Sequence, residues 1–385
     1  MKIIHLANHA QNVGNGIVNM MVDLACMQAR AGHDVTVASA GGGHESLLAQ
    51  QGVRHVLLAQ SPRPSRVPAM VAGFNRLIAK YDPDVVHAHM ITGALIARCS
   101  VLQRRFVLVT TVHNEFQKSA TLMRVGDRVV AVSNAVAVAM ARRGIPQARL
   151  AVVGNGTIGT PRLASTPVPD EPRLAHPCIV TVAGMYERKG IRDLLHAFAL
   201  LRKRVPDAVL YLVGDGPDRA VMETLARQLG VAEHAHFTGF VADPRGYLAQ
   251  ADVFTLASHA EPGALVLCEA REAGRAIVGT RVGGIPEMLD DGEAGLLVPP
   301  ANPVGLAQAL GLLLTDRVAH AALIARSRQN CERFSVQRVS DDYQLVYERA
   351  LASRQPRRFA TIATTANLAA PEIAVGDAVA RKTTS

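Results

Sequence analysis

Apolar residues in the first half of the chain fall in short β-branched runs, separated by amphipathic stretches with a helical repeat. Lys2–Asn8 reads as a buried strand, Ile17–Ala31 as a helix ending at Gly32, and Asp34–Ser39 as the next strand. The alternation continues through helix Ser46–Gln51, strand His55–Ala59, helix Pro68–Tyr81, strand Asp84–Ala88 and helix Thr92–Arg104. Strands Phe106–Val112 and Arg128–Val132, helix Asn134–Arg143 closed by Gly144, and strand Leu150–Val153 complete this half. The strands lack the strict in–out alternation of a half-exposed sheet, and helices separate most of them. That pattern predicts a parallel sheet covered on both faces.

Thr160–Pro177 breaks the rhythm with five prolines and little apolar periodicity, as expected of a linker. The pattern then restarts with strand Cys178–Ala183, helix Ile191–Arg204, strand Ala208–Val213 and helix Asp218–Leu229. Strand His236–Thr238, helix Pro244–Ala249, strand Val253–Leu256, helix Leu265–Ala273 and strand Ala276–Gly279 follow, with helices at 303–314, 318–328 and 335–353. After Arg354 the chain is rich in Ala, Thr, Arg and Pro without a sustained period, so disorder is expected. Two doubly wound α/β units predict a cleft between them, because open parallel sheets collect ligands at the C-terminal ends of their strands.

Composition narrows the function. The 385 residues are 49% apolar and 19% charged, enough for two sizeable cores. No apolar run is long enough to span a membrane, and the start of the chain lacks the apolar region and cleavage site of an export signal. The five cysteines (Cys26, Cys99, Cys178, Cys268, Cys331) are scattered and form no C-x-x-C pair, so neither a disulfide framework nor a zinc site is expected, and a cytoplasmic setting fits. The net charge of +9 is uneven: residues 1–165 hold 17 Lys+Arg against 7 Asp+Glu, while residues 166–385 hold 24 against 25. A field of that sign attracts anions, including an anionic membrane surface. With 4% aromatic residues and no Trp, stacking platforms for nucleic acid are scarce, and no nucleic-acid partner is expected.

Five segments at predicted strand ends carry candidate chemistry. Asn12-Val13-Gly14-Asn15-Gly16 lets backbone approach a ligand in front of a helix N-terminus. Val112-His113-Asn114-Glu115 puts an imidazole at the end of an apolar strand. Gly184-Met185-Tyr186-Glu187-Arg188-Lys189-Gly190 offers two adjacent cations before a helix, a phosphate site able to stabilise a departing diphosphate. Gly214-Asp215-Gly216-Pro217 is turn chemistry leading into a helix. In Glu261-Pro262-Gly263-Ala264-Leu265-Val266-Leu267-Cys268-Glu269, two carboxylates eight residues apart flank a helix start, so that one pocket can read both ends of a nucleotide sugar. Gly283-Gly284-Ile285-Pro286-Glu287 adds a further glycine turn.

In this order, over residues 1 to about 350, the chain resembles the GT-B-fold retaining glycosyltransferases of family 4 (glycosyl transferases group 1). The E-x(7)-E pair Glu261 and Glu269 is the most specific mark. It is accompanied by Arg188-Lys189-Gly190, Gly214-Asp215-Gly216-Pro217, Gly239-Phe240, Gly283-Gly284-Ile285-Pro286-Glu287 and Asn155-Gly156. The resemblance implies two Rossmann-like domains facing across a cleft. Residues 1–160 would bind the acceptor and 178–334 the nucleotide sugar, joined by linker 161–177. A helix at 335–353 would pack back toward the N-terminal domain, and 354–385 would form a disordered tail.

The resemblance also assigns roles. Glu269 would hold the ribose hydroxyls and Glu261 the hydroxyls of the transferred sugar. Lys189 with Arg188 would bind the diphosphate, helped by the amides of Ala264, Leu265 and Val266 and by the turns at Gly184, Gly214 and Gly216. Gly14 and Gly16 would close on the diphosphate from the other domain, near Asn155, and His113 would touch the donor sugar. Three positions depart from the family pattern. Met185 stands where an Arg is usual, with Arg188 the replacement cation. Gly263-Ala264 replaces Phe-Gly, and Gly14-Asn15-Gly16 replaces Gly-Gly.

The activity so implied is metal-independent hexosyl transfer from a UDP- or GDP-linked donor to a glycan or a polyprenyl- or lipid-linked acceptor, in cell-surface polysaccharide or lipopolysaccharide synthesis. The donor is a substrate, and no cofactor is expected. Asp82-Pro83-Asp84 imitates a metal-binding Asp-x-Asp but opens a buried strand, so it reads as a turn. The basic N-terminal half suggests peripheral attachment to the inner face of the membrane. A GT-B sugar-nucleotide epimerase, acting on donor alone, and a nucleotide-sugar sensor without turnover would use the same residues.

Overall fold

A computed structural model of the protein describes residues 1–60, 63–164, 166–169 and 172–354. The first half comprises β1 (Lys2–Leu6), α1 (Gly16–Arg30), β2 (Asp34–Ser39), α2 (Glu45–Gln50), β3 (Arg54–Leu57), α3 (Val67–Tyr81) and β4 (Val85–Ala88). It continues with α4 (Ile91–Arg98), β5 (Val107–Val112), β6 (Arg128–Ala131), α5 (Asn134–Arg142) and β7 (Leu150–Val152). Its seven strands form one parallel sheet in the order β3-β2-β1-β4-β5-β6-β7. β4 and β5 are buried at every residue, the reason their sequences show no alternation.

The second half runs β8 (Cys178–Val182), α6 (Ile191–Arg202), β9 (Val209–Val213), α7 (Arg219–Gln228), β10 (Ala235–Gly239), α8 (Arg245–Gln250) and β11 (Val253–Leu256). Then come α9 (Leu265–Glu272), β12 (Ala276–Thr280), α10 (Ile285–Met288), β13 (Leu296–Val298), α11 (Pro303–Thr315), α12 (Arg317–Ser327) and α13 (Val336–Arg354). The sheet order is β10-β9-β8-β11-β12-β13, again parallel. Strand order reverses between β1 and β4 and between β8 and β11. At those points the flanking loops diverge and leave a crevice for a ligand. The candidate segments after β1, β8 and β11 all lie there.

Local chemistry starts and stops the elements. Asn15 caps α1 by accepting from the Ile17 amide at 3.0 Å, and Ser133 caps α5 by accepting from Val136 at 3.3 Å. The expected helix Thr92–Arg104 is shorter than its sequence pattern: α4 stops at Arg98. Ser100 Oγ accepts from the Leu102 amide at 3.1 Å and donates to Asn75 Oδ1 at 2.5 Å, which replaces the next helical turn with a side-chain turn. The elements that escaped the pattern are short or tight, β13, α10 and the helical turn Lys118–Val125 among them.

α13 belongs to the core of the first half. Its Val339, Tyr343, Val346, Tyr347 and Ala350 pack with Ile3, Met20, Leu24, Val85, Val107 and Val130. Between the halves, the described residues of 160–177 form neither helix nor strand. Thr160 and Arg162 are tied to α1, where Asp23, fully buried, accepts from Thr160 Oγ1 at 2.6 Å and from Arg162 at 2.9 and 3.0 Å. Of the tail, Arg354 closes α13, and residues 355–385 lie outside the described residues.

Candidate functional site

The loop after β8 is held against the loop after β11 by a glycine that nothing else replaces. Gly190 has φ +65°, and a Cβ there would stand 1.9 Å from the Ala257 carbonyl oxygen. The close approach lets the His259 amide donate to the Arg188 carbonyl at 2.8 Å. It also delivers Lys189 Nζ onto the Glu261 carboxylate in an ion pair whose side chains are 15% and 6% exposed.

Glu261 is held from the other side by the second glycine turn. The Gly284 amide donates to the Glu261 carbonyl at 2.8 Å, and a Cβ on Gly283 would stand 1.9 Å from that same oxygen. Ser258 Oγ also donates to the carboxylate, at 3.4 Å. Two sequence motifs far apart in the chain thus combine to place one carboxylate beside one ammonium.

α9 begins four residues later. Ala264 caps it without a side-chain hydrogen bond, leaving first-turn amides such as those of Leu265 and Val266 open to an anion. Glu269 lies just over one turn into the helix. Burial pushes its carboxyl up to about 7, only partly offset by the nearby charge of Arg162.

Other predicted positions fill packing roles. A Cβ at Gly214 would lie 2.1 Å from the Ala183 carbonyl oxygen, one at Gly216 2.5 Å from the Met185 oxygen, and one at Gly184 2.8 Å from the Tyr186 ring. These glycines press the loops after β8 and β9 together. Met185 is buried in the core, and the loop's cations are Lys189 and Arg188, the latter 5.4 Å from the Phe116 ring and 5.8 Å from that of Tyr186.

The first half meets this arrangement directly. Gly14, at φ +66°, faces Phe240 so closely that a Cβ would lie 2.7 Å from the ring, and Gly16 faces the Leu265 side chain. Asn155 Nδ2 donates to the Gly263 carbonyl at 2.8 Å, and the Asn134 amide donates to Glu287 at 3.0 Å. His113 stands half-buried at the end of β5, its imidazole held down to about 4 by burial. Glu115 follows, with Oε2 buried and unpartnered; burial raises its carboxyl despite the fields of Arg143 and Arg188, and Glu261 adds to the rise. Asp82 and Asp84 are engaged as turn residues, Asp82 with Arg105 and Asp84 with the Lys2 amide at 2.8 Å.

Residues 14–157 match the family model described as Glycosyltransferase Family 4, and residues 176–316 match Glycosyl transferases group 1. The chain belongs to the GT-B glycosyltransferases. Among relatives of this family, the lipopolysaccharide core biosynthesis glycosyltransferase LpsE of Rhizobium meliloti is 33% identical over 43% of this chain and 48% of its own. The phosphatidyl-myo-inositol mannosyltransferase of Mycolicibacterium smegmatis is 29% identical over 90% of this chain and 94% of its own. The chain therefore aligns with about half the length of LpsE and nearly all of the mannosyltransferase. Among solved GT-B structures, Anabaena HepE in complex with UDP and glucose superposes with a TM-score of 0.75 at 20% identity, covering 91% of this chain and all of that one. No helix among the described residues of this glycosyltransferase is long and apolar enough to cross a membrane.

Four positions near the site went unread in the sequence: Arg162, Phe116, His89 and His5. His5 and His87 are register partners on β1 and β4. Polar residues at paired positions of two buried strands are a signal, but the pairing is visible only once the strand order is known.

Proposed function

We propose that the protein is a retaining hexosyltransferase, moving a sugar from a nucleotide-sugar donor to a glycan or lipid-linked acceptor. The observation that carries this reading is the buried Lys189–Glu261 pair beside the open first turn of α9. The two charged groups satisfy each other until a ligand offers a diphosphate to the ammonium and hydroxyls to the carboxylate. Glu269 binds the ribose hydroxyls. Arg188 and the turns at Gly184, Gly214 and Gly216 line the phosphate side, with Gly14, Gly16 and Asn155 opposite. His113 and the unpartnered Glu115 oxygen face the hydroxyls of the reacting partners.

In the proposed step the bond from the anomeric carbon to the diphosphate oxygen breaks, and the acceptor oxygen bonds to the same face. The acceptor proton passes to the departing phosphate oxygen. Lys189, Arg188 and the α9 amides stabilise the charge that develops there, so EDTA is expected to leave the rate unchanged. The similarity to a lipopolysaccharide core glycosyltransferase and to a phosphatidyl-myo-inositol mannosyltransferase supports an acceptor in lipopolysaccharide or anionic glycolipid synthesis. The UDP and glucose held by HepE support a UDP-linked donor, and the similarity to GDP-mannose-dependent mannosyltransferases keeps GDP beside it.

The test is nucleotide release from a panel of UDP- and GDP-sugars, with and without a lipid extract, beside Glu269→Ala. Lipid-dependent release from one donor, lost in the variant, is expected. Release without any acceptor would point instead to a hydrolase, conversion of the donor to another sugar nucleotide without an acceptor to an epimerase, and binding without either to a sensor.

A further inference from the structure

Behind His113 runs a continuous hydrogen-bonded chain of side chains. His113 Nε2 lies 3.2 Å from His89 Nδ1, His89 Nε2 lies 3.0 Å from His5 Nδ1, and His5 Nε2 lies 2.8 Å from Gln28 Oε1. From Gln28 the chain goes on through Nε2 to the Tyr347 hydroxyl at 3.3 Å, and from there to His87 Nδ1 at 2.7 Å. His87 Nε2 meets Thr111 Oγ1 at 2.7 Å, and Thr111 meets the Tyr343 hydroxyl at 2.9 Å. The chain links the cleft to α1 and α13.

Burial holds His5 down at about 4 and pushes His87 and His89 well below the usual range, so the rings are neutral at neutral pH. A neutral imidazole has one N–H and one lone pair. The direction of every bond then follows from one residue. Gln28 Oε1 can only accept, so His5 carries its proton on Nε2 and accepts at Nδ1. His89 must therefore donate from Nε2 and accept at Nδ1, and His113 must donate from Nε2.

On the other arm the Gln28 amide donates to Tyr347, which donates to His87 Nδ1, leaving the His87 proton on Nε2. All four rings share one tautomer. Turning the Gln28 amide over would move all four protons to Nδ1. Nitrogens of His5, His87 and His89 also lie within 4.8 Å of one another, a spacing open to a metal ion. Both nitrogens of each of these rings already have hydrogen-bond partners, which argues for the relay.

We propose that Gln28 is a positioning residue that sets the tautomer of His113 through His5 and His89, keeping the proton on Nε2 and the Nδ1 lone pair available to the cleft. Nδ1 of His113 has no hydrogen-bond partner among the described residues. There it accepts from a hydroxyl of the donor sugar, a role that rests on the placement of His113 proposed above. The tautomer itself does not depend on that placement.

Nitrogen NMR of the 15N-histidine-labelled protein, free of ligand, reads the tautomers directly. His5, His87, His89 and His113 are all expected as Nε2–H. Gln28→Met should release His113 into a tautomer mixture and lower kcat in proportion to the Nε2–H fraction lost, about twofold for an even mixture, with the donor KM unchanged. Tyr343→Phe cuts the far end of the same buried network beyond Gln28 and should move neither. A wild-type His113 that is mixed or Nδ1–H, a tautomer indifferent to Gln28→Met, or an equal kcat loss in Tyr343→Phe would overturn the proposal. If the tautomer changes as expected while turnover does not, Gln28 control stands and the placement of His113 at the sugar fails.

Discussion

At the residue scale the site is a set of groups held in unfavourable company until a ligand arrives. Lys189 and Glu261 neutralise each other in a nearly dry position, where removing either partner alone costs about 3–5 kcal/mol. Glu269 is poised differently, since burial raises its carboxyl to about 7. In the proposed role of Glu269, only the ionised form accepts hydrogen bonds from both ribose hydroxyls at full strength. Nucleotide affinity should therefore fall as the pH drops through about 7, approaching roughly tenfold per pH unit below it. Calorimetric titration with UDP and GDP across that range checks this, and Glu269→Gln should flatten the profile.

The same shift has the opposite sense for folding. The folded state holds this proton more tightly than the unfolded one, so the stability it contributes is fully present below the ordinary value of 4.5 and is lost as the pH rises through about 7. His113→Ala should cripple turnover and leave nucleotide binding nearly intact, as measured by kcat beside a binding titration. Equal loss of both would defeat the separation of roles. The carboxylates and cations were legible in the sequence because they come as a spaced motif. The orphaned Glu115 oxygen was not, because whether a polar atom has a partner is a fact of packing.

At the scale of elements, loops rather than helices set the geometry, and glycines set the loops. Gly190→Ala meets both a left-handed backbone and the Ala257 carbonyl at 1.9 Å. It should cost more than about 1 kcal/mol in urea unfolding and also weaken nucleotide binding, since Lys189 rides on that turn. Gly144 is also left-handed, at φ +85°, but has nothing within 4 Å of a Cβ. Gly144→Ala should cost only backbone strain, about 1 kcal/mol, and leave binding alone. The hydrophobic rhythm made most strands and helices readable in advance. It failed for α4, where Ser100 and Asn75 end the helix by side-chain bonding, and for β13, whose three residues are too few to show a period.

At the scale of the whole molecule, loops at the C-terminal edges of the two sheets meet, through apolar contacts of Gly14 with Phe240 and Gly16 with Leu265 as well as polar ones. Asn155 to Gly263, Asn134 to Glu287 and Arg188 over Phe116 all cross between the halves. α13 runs from the second half into the core of the first, which fastens the two together away from the site. The charge asymmetry also belongs to this scale. Arg63, Arg66, Arg98, Arg104, Arg105, Arg124, Arg128, Arg142 and Arg143 all lie in the basic half. If the acceptor is lipid-linked, flotation with liposomes should increase with anionic lipid content and decline with salt, each basic group near the surface contributing about 1 kcal/mol. Flotation indifferent to anionic lipid would remove the membrane part of the proposal.

The linear chain determined the periodicity, the glycine turns, the spacing of Glu261 and Glu269 and the excess of positive charge, because each depends on residues close in sequence. Only the tertiary structure decided that Lys189 meets Glu261, that Asp23 grips Arg162, and that separate strands and helices bring His113, His89, His5, Gln28 and Tyr347 into one hydrogen-bonded line. Those pairings join residues tens to hundreds of positions apart. What selects them is the order of parallel strands in each sheet and the burial that leaves polar groups no partner but each other.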